Sequence, residues 1–297
     1  LDLTGFLQQL ANGISLGSLY ALVAIGYTMV YGIIRLINFA HGDIMMMGCY
    51  FAYFGILMFH LPWEISWIIA VVLTALLGVL TYVGAYRPLR RAPRISALIT
   101  AIGVSFFLES IALVVYGGRP KAFPRPHVFD IEMNIKGVYM VSFTIWIPII
   151  AGILLVGLIY LIYKTKTGMA MRAVATDLET TSLMGVNVDK VISITFAVGS
   201  ALAAAGGIMW AVKFPQINPY MGIMPGLKAF IAAVFGGIGN VFGAMLGGFI
   251  LGMAEILIVA FMPQIAGYRD AIAFSLLIII LLFKPTGLLG ESMKEKV

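Results

Sequence analysis

Residues 3–43 read LTGFLQQLANGISLGSLYALVAIGYTMVYGII and then RLINFAHGD. The first part, Leu3 to Ile34, holds no charged residue. About 20 mainly apolar residues suffice to cross hydrocarbon. With no water there, the backbone must bond to itself, so such a run becomes a helix. The second part ends that helix with a polar cluster at Asn38, His41 and Asp43 around Gly42. The first run has no basic segment ahead of it and no clear small-residue cleavage site. It also outlasts the apolar core of a removable leader, about 7–15 residues. It therefore reads as a retained first span. The chain starts at Leu1 rather than Met, and a few residues are expected ahead of it.

The same pattern recurs down the chain. Apolar runs predict spans near residues 8–34, 43–60, 64–86, 95–116, 142–163, 190–212, 241–262 and 269–284. A shorter ninth element near 225–237 is expected to enter the membrane without an ordinary full crossing. The fold expected is all-α: a single polytopic membrane domain over residues 1–297, with about 8 transmembrane helices, or about 9–10 if broken pieces count. Composition agrees. Hydrophobic residues make up 61% of the chain and charged residues 11%, against roughly 25% charged in soluble domains. The net charge of +6 is scattered between apolar runs rather than gathered on one face, which speaks against nucleic acid. Cys49 stands alone in an apolar run, so no disulfide framework is expected.

Lys and Arg set the orientation. Arg87, Arg90, Arg91 and Arg94 crowd one short loop. Lys164, Lys166, Arg172 and Lys190 mark a second, and Lys284, Lys294 and Lys296 the C-terminus. These three regions are read as cytoplasmic. The opposing segment 117–141 also carries Arg119, Lys121, Arg125 and Lys136, which makes the bias modest. That segment, with Pro120, Pro124 and Pro126, reads as an extracytoplasmic loop. Segment 164–190 reads as one or two short interfacial helices punctuated by Gly168 and Gly185.

A weak internal repeat accompanies the spans. Gly17-Ser18 opens a small-residue helix that runs to Ile37-Asn38, and Gly199-Ser200 opens another that runs to Ile217-Asn218. Broken helices at matching places in two halves point to a substrate path. Candidate path residues are therefore Asn38, His41 and Asp43 at the first break and Asn218 at the second. Gly236, Gly237 and Gly239, in a glycine cluster that reads as a tight turn or a re-entrant tip, join them. Asn38 and Asp43 could instead cap the next helix, and His41 could be a packed, hydrogen-bonded residue. No second His or Cys stands at metal-ligand spacing, so no metal is expected. Glu109 and Glu255 are the acids deepest within spans, with Lys228 or Arg35 as conceivable partners, and Glu109 is a further path candidate. Gly243 and Gly247, and Ala244, Gly248 and Gly252, repeat every four residues and predict close helix packing. No phosphate-cradling loop ending in Gly-Lys-Ser/Thr, nucleophile elbow or HExxH pair is present, so an enzyme is not expected, and neither is a cofactor.

The stretch YALVAIGYTMVYGIIRLINFAHGDIMMMG (20–48) resembles the opening of the branched-chain amino acid ABC permeases of the LivH type. So do YRPLRRAPRISALITAIGVSFFLE (86–109), the run from GMAMRAVATD to LMGVNVDKV, INPYMGIMPGLKAFIAAVFGGIGNVFGAMLGG (217–248) and KPTGLLG (284–290). The resemblance covers nearly the whole chain apart from 117–141. It implies a multi-pass permease of the inner membrane that moves Leu, Ile or Val. Its implied partners are a LivM-like sister permease, two cytoplasmic ABC ATPases and an external substrate-binding protein. It implies that 164–190 is the coupling loop, with Gly168, Arg172, Ala173, Asp177 and Gly185 as its candidates. Urea, short amides or other amino acids are alternative cargoes within such permeases. An ion- or proton-driven transporter using His41, Asp43 and Glu109 as a relay is the rival of a different class.

Overall fold

The computed structural model describes residues 2–90, 92–135 and 137–290, and of Arg94 only the backbone. Arg91, Lys136, Lys294 and Lys296, which entered the charge argument, lie outside the described residues, as does the Arg94 side chain.

The long apolar runs form the expected helices: α1 (Leu3–Ile34), α2 (His41–Leu57), α3 (Trp63–Thr81), α4 (Arg94–Tyr116) and α5 (Phe143–Lys164). A single π-helical turn, Tyr82–Tyr86, and a 3-10 turn, Arg87–Leu89, extend α3. Two short helices follow, α6 (Lys166–Thr176) and α7 (Leu178–Leu183), and then α8 (Val188–Lys213), α9 (Ile223–Gly236), α10 (Val241–Phe261) and α11 (Arg269–Phe283). Among the described residues, seven segments are long and apolar enough to cross a membrane, while α2 with 17 residues and α9 with 14 are shorter. Cys49 is buried and free.

Segment 117–141 and its surroundings hold structure that composition did not announce. Strand β1 (Lys121–Ala122) pairs antiparallel with β4 (Gln216–Ile217), and β2 (Glu132–Ile135) pairs with β3 (Val138–Val141). Phe129 is buried between Trp63, Trp67 and Trp146, which ties this segment to the starts of α3 and α5.

These contacts define two faces of the bundle. The first face gathers the ends of α1, α3 and α5, the start of α8, the α9–α10 turn and residues 285–290. The second gathers the starts of α1, α3 and α5, the two small sheets and the end of α10. Helices α1 and α8 therefore run in opposite directions. The packing of the two halves mirrors itself. Helix α1 lies on α10 as α3 lies on α8, α2 on α3 as α9 on α10, and α2 on α4 as α9 on α11. This is the pattern of an inverted repeat.

Helices α2 and α9 are the short members of the halves, 17 and 14 residues, or about 26 and 21 Å against a core of about 30 Å. Each starts inside the bundle after the chain has doubled back. Asn38 O accepts from His41 N (3.1 Å), and Asn218 O accepts from Met221 N (3.1 Å). Four residues after each Asn stands a glycine, Gly42 and Gly222, and these two glycine backbones touch. A side chain on either would strike the other's carbonyl. His41 lies against Gly26, eight residues before the end of α1 and so about 12 Å in from that face.

The ninth element is revised in one respect. Its chain leaves the second face at β4, and α9 ends on the first face, so it does traverse the bundle. Part of the passage is made by non-helical residues around Asn218, of which Ile217, Pro219, Met221 and Gly222 are buried. Such backbone is tolerated at depth when it is not exposed to lipid. A helix-length hydropathy window misses it.

The glycine repeat on α10 serves two neighbours. Gly243 and Gly247 press on α9 at Gly236 and Ala232, while Gly248 and Gly252 press on α1 at Ala21 and Gly17.

Candidate functional site

The first break is buried and only partly hydrogen-bonded. Asn38, His41 and Asp43 are each no more than 2% exposed. Tyr86 OH donates to Asn38 Oδ1 at 2.9 Å, and Ser105 Oγ donates to Asp43 Oδ2. The Tyr27 ring lies 4.6 Å from the His41 ring. Yet Asn38 Nδ2, His41 Nε2 and Asp43 Oδ1 lack hydrogen-bond partners among the described residues. The capping alternative fails, because Ala40 stands at the N-cap of α2 and no side chain caps it. Asp43 sits in the first turn instead, where its charge suits the helix dipole, and reaches across to α4. Glu109 follows Ser105 by one turn on the same face of α4. It is buried and pairs with no cation among the described residues.

Glu255 and Lys228 do pair, which offsets the cost of placing charges in spans. Lys228 Nζ lies 2.9 Å from Glu255 Oε1 and 2.7 Å from Asp270 Oδ1. Tyr20 OH donates to Glu255 Oε2 at 2.9 Å. The network ties α1, α9, α10 and α11 together. Arg35 is not part of it. It closes α1 in the left-handed conformation, φ +52°.

Asn218 is half-buried, and its Oδ1 accepts from Tyr220 N. It does not meet Asn38 directly. The Gly42–Gly222 contact joins the two breaks. Of the two readings of the glycine cluster, the tight turn is the one observed. Gly237 and Gly239 adopt φ of +114° and +96°, which favours glycine. Asn240 caps α10 by accepting from Gly243 N. Residues 288 and 289 close the turn from outside, through Leu288 N to Phe235 O and Leu289 N to Gly236 O.

Segment 164–190 is a compact two-helix element. Thr165 caps α6, Asp177 caps α7 through Glu179 N and Thr180 N, and Asn187 caps α8. Gly168 packs against the carbonyls of Leu161 and Ile162, leaving no room for a side chain, and Gly185 turns the chain at φ +83°. Arg172 donates to Ile162 O and lies 5.3 Å from the Tyr163 ring. Ala173 is exposed. Two residues that the sequence reading passed over stand out. Leu183 is 87% exposed and Met184 79%. A Leu-Met pair inside a polar loop was the available signal. Asp189, also passed over, accepts from Tyr82 and pairs with Arg87 and Arg90, fastening α8 to the extension of α3.

Between α6 and the bundle lies a cavity of about 680 Å3. It is lined by Arg35 at the end of α1, Tyr163, Arg172, Gly239 and Asn240 at the turn, and Thr286. The structure thus brings the glycine turn next to 164–190, and keeps both apart from the Asn38–Asp43 cluster.

A family profile described as "Branched-chain amino acid transport system / permease component" matches residues 9–281. The chain is 42% identical over 306 residues to the high-affinity branched-chain amino acid transport system permease protein BraD of Pseudomonas aeruginosa, covering 98% of both chains. It is 42% identical over 305 residues to the permease protein LivH of Escherichia coli, again with 98% of both covered. Over 63% of its length it is also 26% identical to the ribose import permease protein RbsC of Haemophilus influenzae.

Proposed function

We propose, on the premise that the chain belongs to the family of branched-chain amino acid transport permease components, that it forms part of the membrane path of an ABC importer for Leu, Ile and Val. The observation that carries this reading is full-length similarity joined to geometry. Two short helices start inside the bundle, meet at Gly42 and Gly222, and leave unpaired polar atoms beside one of them. Broken helices of this kind mark transport paths.

In this reading the first face is cytoplasmic and the membrane is the inner one. Energy comes from two ATPase partners beneath it, and a LivM-like sister permease completes the path. An external binding protein delivers the amino acid to the second face. Segment 164–190 is the coupling element. Its capped helices make it rigid, and Leu183 and Met184 offer an apolar knob for a groove on the ATPase. Helix α6 lies on α1, α5 and α8, so a push on the knob reaches spans of both halves. Gly168, Arg172, Ala173, Asp177 and Gly185 hold that shape. Asn38, His41, Asp43 and Glu109 face the path, with Asn218 and the turn at Gly236, Gly237 and Gly239 as its moving parts.

Proteoliposomes that contain the two permeases and the two ATPases test the reading. Leucine uptake should require ATP inside and binding protein outside, and Leu183→Asp with Met184→Asp should abolish uptake without dissociating the permeases. Uptake driven by a proton or sodium gradient without ATP would favour the ion-coupled rival. Cysteines introduced at position 183 and at the exposed position 139 should be labelled from the inside and the outside respectively, which tests orientation separately.

A further inference from the structure

The cavity beside α6 has a chemistry that the transport cycle does not use. Its volume of about 680 Å3 falls within the roughly 300–1,000 Å3 of small-molecule sites. Among the described residues its charged lining consists of Arg35 and Arg172, with no Asp or Glu. Arg172 is held by the Ile162 carbonyl and the Tyr163 ring. Across from it stands the start of α10, Gly239 to Phe242, where free N–H groups and the helix dipole favour an anion. A further observation is independent of that helix end. Thr28 lines the cavity from α1, is fully buried, and its Oγ1 has no hydrogen-bond partner among the described residues.

We propose that this cavity binds a phosphate group, held by the guanidinium forks of Arg35 and Arg172, the N-terminus of α10 and the Thr28 hydroxyl. Guanidinium forks match phosphate geometry. The cargo itself is a poor occupant, because the ammonium group of an amino acid finds no carboxylate among the described lining residues. The phosphate can come from an anionic lipid or from a free phosphate ion. Ile162, Met171, Val234 and Ile238 give the cavity apolar flanks suited to a lipid, and basic pockets between spans on the cytoplasmic side take such headgroups. Its assignment to the cytoplasmic leaflet rests on the orientation proposed above. Bound there, a phosphate sets the spacing between α6 and the α9–α10 turn, so anionic lipid content tunes coupling.

The experiment uses the complete complex in nanodiscs of neutral phosphatidylcholine. The thermal midpoint is followed as phosphatidylglycerol is mixed in, or as inorganic phosphate is added. A ligand that binds the folded state raises the midpoint, here by about 3 °C or more. The rise should vanish in Arg35→Gln/Thr28→Val and survive in part in Arg35→Lys, which keeps charge but loses the fork. A rise with phosphatidylglycerol alone assigns the phosphate to lipid, and a rise with inorganic phosphate assigns it to a soluble ion. No rise with either, an equal rise in the double variant, or displacement by millimolar leucine overturns the proposal. The cysteine labelling described above fails independently if it is the orientation that is wrong.

Discussion

Helices α2 and α9 hold equivalent places in the two halves, yet the polar groups around them are treated differently. On α9, Lys228 is satisfied three times over, by both oxygens of Glu255 and by Asp270, and Tyr20 adds a further bond to Glu255. At the start of α2, Asn38, His41 and Asp43 each keep one polar atom without a partner among the described residues, and so does the hydroxyl of Tyr50 farther along. Leaving a buried polar group unpaired costs about 1–3 kcal/mol. One half is cross-braced, and the other holds hydrogen-bonding capacity in reserve. Such reserve belongs where water, cargo or a second conformation must be accommodated, and the bracing belongs where a fulcrum is needed.

The contrast can be broken most directly at Lys228. Lys228→Met leaves the buried Glu255 to the Tyr20 hydroxyl and the longer Arg269 contact at 3.8 Å, and should lower stability by up to about 3–5 kcal/mol, read as a drop in the thermal midpoint of the detergent-solubilised protein. Adding Glu255→Gln should recover much of that loss. A single variant as stable as the parent would refute the bracing. Next in size is the contact that joins the halves. Gly222→Ala drives a methyl group into the Gly42 carbonyl, and overpacking of this kind costs about 1–3 kcal/mol. Leucine uptake should fall further than stability does, since the two helix starts are forced apart. Asp43→Asn sharpens the comparison. The Ser105 bond survives on the amide oxygen, so stability should change by less than about 1 kcal/mol, while uptake falls. Smallest is Asp189→Asn on the first face. Its ion pairs with Arg87 and Arg90 are partly exposed, so the loss should be about 0.2–1 kcal/mol and shrink in high salt.

Much of this was legible in the sequence because hydrocarbon leaves the backbone few choices. Apolar runs nearly free of charge gave α1, α3, α4, α5, α8 and α10 nearly to their ends. Lys228 was legible as one of two conceivable partners for Glu255 or Glu109, since a charge in a span is costly to leave alone; which acid it joins was not. The passage of α9 was not, because its first part is a two-residue strand and a turn, whose bonds depend on neighbours. Nor was the β1–β4 pairing, in which Lys121 meets Ile217 across nearly a hundred residues. Two-residue strands carry no periodicity. At the first break, Asn38, His41 and Asp43 could be named, but Tyr86 and Ser105 could not. Their spans look like any others until α3 and α4 are laid beside α2.

The clip that residues 288 and 289 place on the glycine turn has a bearing on biosynthesis. Asn240 gives its side-chain N–H to Leu289, which is made 49 residues later. As the nascent chain is threaded into the bilayer, the carbonyls of Phe235 and Gly236 wait for Leu288 and Leu289, and α11 must already be inserted when the seal forms. Closure of this turn thus waits until Leu289 has been made, and a nascent chain halted before Leu288 would leave the Phe235 and Gly236 carbonyls without these partners.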